Sequence, residues 1–149
     1  MGPIVLATCL SKVSETAAKV ARTLAEETKR PLHVVYAIEP SSGLSGDAAM
    51  VARESAKARQ ESELRGAVEA FCIRMAIDVD TTTRRILSGS IPEEVAAYAA
   101  DVSASLVVVG TSAPTGVTAV LLGSVADEIM RRSSAPVLIV RQDLATTAV

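Results

Sequence analysis

Short apolar runs alternate along this chain with longer segments whose apolar positions recur every third or fourth residue. Pro3–Thr8 is apolar almost throughout and predicts a first strand covered on both faces. Lys12–Lys29 sets Val13, Ala17, Val20, Ala21, Leu24 and Ala25 on one side and Lys and Glu on the other, the signature of an amphipathic helix. Ser11 or Ser14 can cap it, and Pro31 ends it. Leu32–Ile38 predicts a second strand, closed by Glu39-Pro40 and a Ser/Gly-rich loop to Gly46. Asp47–Met75 is a long helical stretch in which Leu64, Val68, Phe71 and Met75 form one stripe. Its first half holds strong helix formers with little to bury, so it is expected to be exposed. Thr81–Leu87, rich in Thr and Arg, predicts a strand toward a sheet edge.

Ile91–Asp101 follows as a helix capped by Ser90 or Gly89, with Val95, Tyr98 and Ala99 inward. Leu106–Val109 is a β-branched run that reads as a buried strand stopping at Gly110. Val125–Arg132 predicts the last helix, with Ser124 and Asp127 spaced as a capping box and Arg131 and Arg132 matched to the dipole. Pro136–Val140 predicts the final strand. The order β-α-β-α-β-α-β-α-β implies an α/β fold, a parallel sheet with right-handed crossovers and helices on both faces. Ligands in such sheets bind beyond the carboxyl ends of the strands, where strand order reverses. If the first and fourth strands flank that point, Thr8–Ser11 faces Gly110–Ser112 across a crevice.

Between Gly110 and Ser124 the chain is uncharged and carries Gly110, Gly116 and Gly123 with Thr111, Ser112, Thr115 and Thr118. A loop this long in a compact domain is usually functional. Glycines admit a ligand close to the backbone, and a helix N-terminus offers free N–H groups, so the pair suits an anion. The alternative is a Gly-rich connection across the top of the sheet, and spacing alone does not separate the two.

Length and charge narrow the field. A chain of 149 residues suits one domain spanning 1–149, which buries about two-thirds of its unfolded surface. With two tyrosines, one phenylalanine and no tryptophan the core must be aliphatic, and rings for stacking nucleic-acid bases are nearly absent. A net charge of −2 also argues against a nucleic-acid partner. The N-terminus lacks a basic region before its apolar run, so no signal peptide is expected. The uncharged stretch Val102–Ala126 is broken by Pro114 and glycines, which disfavours a membrane span. Cys9 and Cys72 stand far apart, with no spacing for a disulfide framework or zinc. A cytoplasmic location is therefore expected.

Catalytic chemistry finds little support. There is one histidine, His33, placed as a strand residue, and no glycine-rich loop closing on Gly-Lys-Ser/Thr. Glu93 and Glu94 open a helix, where carboxylates favour the dipole. Cys9 has two readings: an oxidisable thiol of lowered pKa near a helix start, or simply a small buried residue, the simpler of the two. Arg53, Lys57, Arg59 and Arg65 alternate with Glu54, Glu61 and Glu63 and read as a solvated, salt-bridged face. Pro136–Val140, if an edge strand, is an apolar pairing template that a second copy would cover in a two-fold dimer.

Four segments, ATCLS, LHVVYAIEP, GSIPEEV and VVVGTSAPTGVTAVLLGSVADEIMRRSSAPVLIV, together resemble the universal stress protein family over nearly the whole chain. The resemblance implies an open five-stranded parallel sheet and homodimers joined through the last strand. It is similar to an ATP-binding branch with the pattern G-x-x-G-x(9)-G-(S/T), here Gly110, Ala113 and Gly123-Ser124. Carried over by position, an adenine nucleotide would meet Ala7, Thr8, Cys9, Ala37, Val109, Gly110, Ser112, Ala113, Gly123, Ser124 and Val125. Mg²⁺ would enter only with the nucleotide, and turnover is not expected as the main purpose. Three residues depart from the pattern: Ala113 replaces a glycine, Pro114 removes an N–H donor, and Cys9 stands where the binders carry Asp. The second reading is thus a nucleotide-free dimeric stress-response module acting on a protein partner.

Overall fold

The computed structural model describes residues 1–39, 47–112 and 123–142, and the side chains of all of these except 47–54. The elements follow the expected order: β1 (Ile4–Ala7), α1 (Lys12–Thr28), β2 (Leu32–Ile38), α2 (Asp47–Arg74), β3 (Thr83–Ser88), α3 (Ile91–Asp101), β4 (Leu106–Thr111), α4 (Ser124–Arg132) and β5 (Val137–Arg141). All neighbouring strands pair in parallel, in the order β3-β2-β1-β4-β5. The order reverses between β1 and β4, the point anticipated for a ligand crevice.

Every residue of β1 is buried, because alternate side chains feed two separate cores. Ile4 and Leu6 join Val34, Val108, the alanines of α1 and the Val68–Phe71–Met75 stripe of α2. Val5 and Ala7 join Val35, Ala37, Val107, Val109, Val95 and Ala99 of α3, and Ala126 and Ile129 of α4. Helix α1 buries Ala17, Ala18, Ala21 and Ala25, whose small side chains let it lie close on the sheet. In α2 the residues from Ser55 to Gln60 are exposed, as their composition implies. None of the charged residues from Lys57 to Arg65 pairs with another among the described residues; the helix is tied through Glu69–Arg84 at 3.8 Å and Arg74–Glu15 at 3.7 Å instead.

Three local expectations change. Strand β4 does not stop at Gly110 but runs through Thr111, pairing Gly110 with Val140 and Thr111 with Arg141. The capping box at α4 does not form. Gly123 is the cap residue, its carbonyl accepting the Asp127 N–H at 3.0 Å, so Ser124 lies inside the helix and makes no side-chain cap bond. Asp127 turns instead to Arg131 at 2.9 Å. Ser11 and Ser90 occupy cap positions of α1 and α3, likewise without side-chain cap bonds. The last strand is shifted by one residue from Pro136–Val140, since proline has no N–H for the ladder.

Candidate functional site

A cavity of about 250 Å³ opens at the carboxyl ends of β1, β2 and β4, on the side covered by α3 and α4. It exists because the strand ends carry small residues there. Ala7 and Ala37 face the same core as Val35 and Val109, and truncation to alanine leaves space beneath Ile91 and Val95 of α3 and Ile129 of α4. Of the sequence-expected site residues, Ala7, Thr8, Cys9, Ala37, Val109, Gly110 and Val125 line it. Ser112, Gly123 and Ser124 do not; they are exposed and lie beside its mouth in sequence. Ala113 lies outside the described residues, as do Gly116 and the other residues expected between Ala113 and Leu122.

The loop after β1 is tied by its own side chains. The Cys9 N–H donates to Ser14 Oγ at 2.8 Å, and the Leu10 N–H donates to Thr8 Oγ1 at 2.9 Å. Leu10 is held at φ 63, the left-handed region rarely used by branched residues, and packs on the core. Ser14 is buried and points its hydroxyl into this loop, which explains a polar residue on the inward face of α1. The Cys9 thiol is exposed, contrary to the expectation of a small buried residue: β1 ends at Ala7, so Cys9 falls in the loop. Its sulfur lies 2.8 Å from Ser11 Oγ and 3.1 Å from Ser14 Oγ. Burial raises the thiol, but hydrogen bonds with those hydroxyls and with the Ser11 and Cys9 backbone outweigh it, and Cys9 sits below its ordinary value of 9.0. Cys72, buried on the inward face of α2, is raised by burial.

Two glycines of the long loop prove to be packing residues. A Cβ on Gly110 would lie 2.4 Å from the Val13 carbonyl oxygen, so glycine lets the first turn of α1 rest on β4. A Cβ on Gly123 would meet Thr111 Oγ1 at 3.2 Å. That hydroxyl accepts the Gly123 N–H at 3.0 Å, while the Thr111 carbonyl accepts the Gln142 N–H at 2.9 Å. Thr111, expected in the loop facing Thr8–Ser11 but not among the nucleotide contacts, is only 4% exposed. Ser14, Val35, Tyr36, Ile91, Val95 and Ile129 also line the cavity, though none was among the expected site residues. Their signal was available in part: Val95 falls on the inward face of its helix, but helical spacing does not say which end of the sheet that face covers.

Outside the cavity the other candidates are structural. His33 Nδ1 and the Tyr98 hydroxyl lie 2.8 Å apart between β2 and α3. Burial and the Arg85 guanidinium hold His33 below 6.5, and burial raises Tyr98. Glu93 pairs with Arg132 at 3.4 Å, joining α3 to α4. Among the described residues no group of three or more His, Cys, Asp or Glu side chains is placed to hold a metal ion, and no helix is long and apolar enough to cross a membrane.

Comparison with known proteins bears on the whole chain. Residues 1–141 match the universal stress protein family. A universal stress protein of Methanocaldococcus jannaschii is 28% identical over 141 residues, covering 93% of this chain and 81% of that protein. Universal stress protein G of Shigella flexneri is 30% identical over 132 residues, covering 87% and 90%. Among solved structures, a universal stress protein in complex with cAMP shares the fold with a TM-score of 0.63 at 23% identity, covering 95% of this chain and 98% of that one. The universal stress protein of Archaeoglobus fulgidus in complex with dAMP does so with a TM-score of 0.61 at 20% identity, covering 93% and 97%. With a parallel sheet of order 3-2-1-4-5 and a family match spanning residues 1–141, this chain belongs to the universal stress protein family.

Proposed function

We propose that this chain binds an adenine nucleotide at the β1–β4 crevice, as a sensor or carrier rather than as an enzyme of rapid turnover. The observation that carries the reading is the cavity itself, which gathers Ala7, Thr8, Cys9, Ala37, Val109, Gly110 and Val125 at the topological switch point. Relatives of the same fold are seen with cAMP and with dAMP. Enclosed sites for drug-sized ligands run from about 300 Å³ upward, so a 250 Å³ cavity suits a base and part of a sugar with the phosphates outside. The phosphates then fall near the start of α4, where the N–H groups of Ser124 and Val125 precede the first intrahelical bond and the helix end is electropositive. The Ser124 hydroxyl, not used as a cap, is available to the same group. In this reading Gly123, Ser124, Ser112 and Ala113 serve the phosphates. Mg²⁺ accompanies the phosphates rather than a protein cage. The two free thiols fit a reducing, cytoplasmic setting.

Chains are further proposed to pair along β5. It is the sheet edge next to β4, and its Leu138 is 36% exposed. A two-fold pairing of like strands would cover it.

The direct test is mass spectrometry of what the purified protein releases on denaturation, followed by ATP titration calorimetry of the emptied protein. Released adenine nucleotide or saturable heat is expected. Neither released nucleotide nor heat would mean that Cys9, Ala113 and Pro114 have closed the site, and would leave the β5 surface, facing a second copy or another protein, as the functional one.

A further inference from the structure

We propose that Thr111 is the positioning residue of the nucleotide site, a role that rests on the nucleotide reading above. It touches neither the cavity nor the expected phosphates. It acts by fixing the start of α4 against the end of β4. The Thr111 Oγ1 accepts the Gly123 N–H at 3.0 Å, directly before the helix. The next polar groups along the backbone are the N–H groups of Ser124 and Val125, and Val125 lines the cavity. The donors meant for the ligand are therefore one and two residues from the clasp.

Three observations favour a built clasp over a chance contact. Thr111 is buried while both neighbours in the fold that it joins, Gly123 and Gln142, lie at the surface or near it. Its backbone is held as well: its carbonyl takes the Gln142 N–H, and its strand pairs Thr111 with Arg141. The space at Gly123 is fitted to that hydroxyl, since a Cβ there would approach Oγ1 to 3.2 Å, tighter than ordinary contact. A glycine that looks like a phosphate-approach residue in sequence is thus also the seat of the Thr111 hydroxyl. Removing the acceptor leaves the partly buried Gly123 N–H without its bond and frees the helix start to shift. Misplacing donors by a fraction of an ångström weakens a bound anion without touching it.

The test compares Thr111→Val, which keeps the volume and loses the acceptor, with Thr111→Ser, which keeps the acceptor. ATP affinity is read by calorimetry at a temperature where each variant is fully folded, and the Gly123 amide is followed by hydrogen exchange. Thr111→Val is expected to bind about tenfold more weakly with faster Gly123 exchange, and Thr111→Ser to bind within about twofold of the parent. Should the valine variant not fold, Thr111→Ala lacks the same acceptor without adding bulk and carries the comparison. Parent-like affinity in the valine or alanine variant would overturn the role of Thr111 alone. Absence of ATP binding by the parent protein would overturn the nucleotide reading and this role together.

Discussion

At the scale of single residues, Gly110 is asked to be small by the fold before any ligand is considered. The Val13 carbonyl oxygen stands 2.4 Å from where its Cβ would be, and that obstacle is backbone, which cannot rotate away. Gly110→Ala is therefore expected to cost about 1–3 kcal/mol in urea unfolding, through displacement of α1 from β4. An unchanged midpoint would show that α1 yields freely there. Cys9 makes a separate, pH-dependent expectation. Its thiol is held below 9.0 in the fold, so thiolate forms at a lower pH than in the unfolded chain, and Cys72 is shifted the other way. The charged form is thus favoured by the folded state above the folded pKa, and that preference is lost as pH falls through it. Alkylation near neutral pH is expected to label Cys9 first, with a half-maximal rate below pH 9.0, and Cys72 only after unfolding. Equal labelling of the two would contradict the hydrogen-bonded loop, and added ATP should slow the Cys9 reaction if the cavity fills.

At the scale of elements, the last strand separates the two surfaces on which function can rest. Leu138→Glu places a charge on the exposed face of the β5 edge, where it is expected to prevent pairing and give monomers by sedimentation velocity, with the fold kept. A parent-like sedimentation coefficient would discard the β5 pairing. Elements were also what the sequence showed best. The apolar run Pro3–Thr8 predicts a strand covered on both faces, and β1 is buried throughout; the Thr/Arg content of β3 placed it toward an edge, where it lies. What escaped was set by tertiary contact. The Ser124–Asp127 spacing fits a capping box locally, yet Thr111 takes the Gly123 N–H and moves the helix start back by one residue. Strand β4 outruns Gly110 because β5 is there to pair with it. The cavity was half legible: strand-end residues were named, but Ile91, Val95 and Ile129 come from helices α3 and α4, and no local pattern reports which helix roofs which strand end.

At the scale of the molecule, the sheet divides the interior into unequal halves. The α1/α2 side holds Phe71 and the larger aliphatics packed on α1 alanines, whereas the α3/α4 side keeps room at its carboxyl end for a ligand. The sheet's two edges are unequal as well, and this bears on how many copies can join. An apolar edge at both ends would let sheets add head to tail without limit. Here β5 carries four aliphatic side chains in a row with Leu138 exposed, while β3 presents Arg84 and Arg85 ahead of half-buried Ile86 and Leu87, and β5 itself ends on Arg141. Joining β3 of one copy to β5 of the next would bring like charges together, whereas the proposed pairing of β5 with β5 about a two-fold axis would cover the edge that carries exposed Leu138. On the proposed β5 pairing each copy would carry one joining edge, so association would end at a pair rather than run on into a filament.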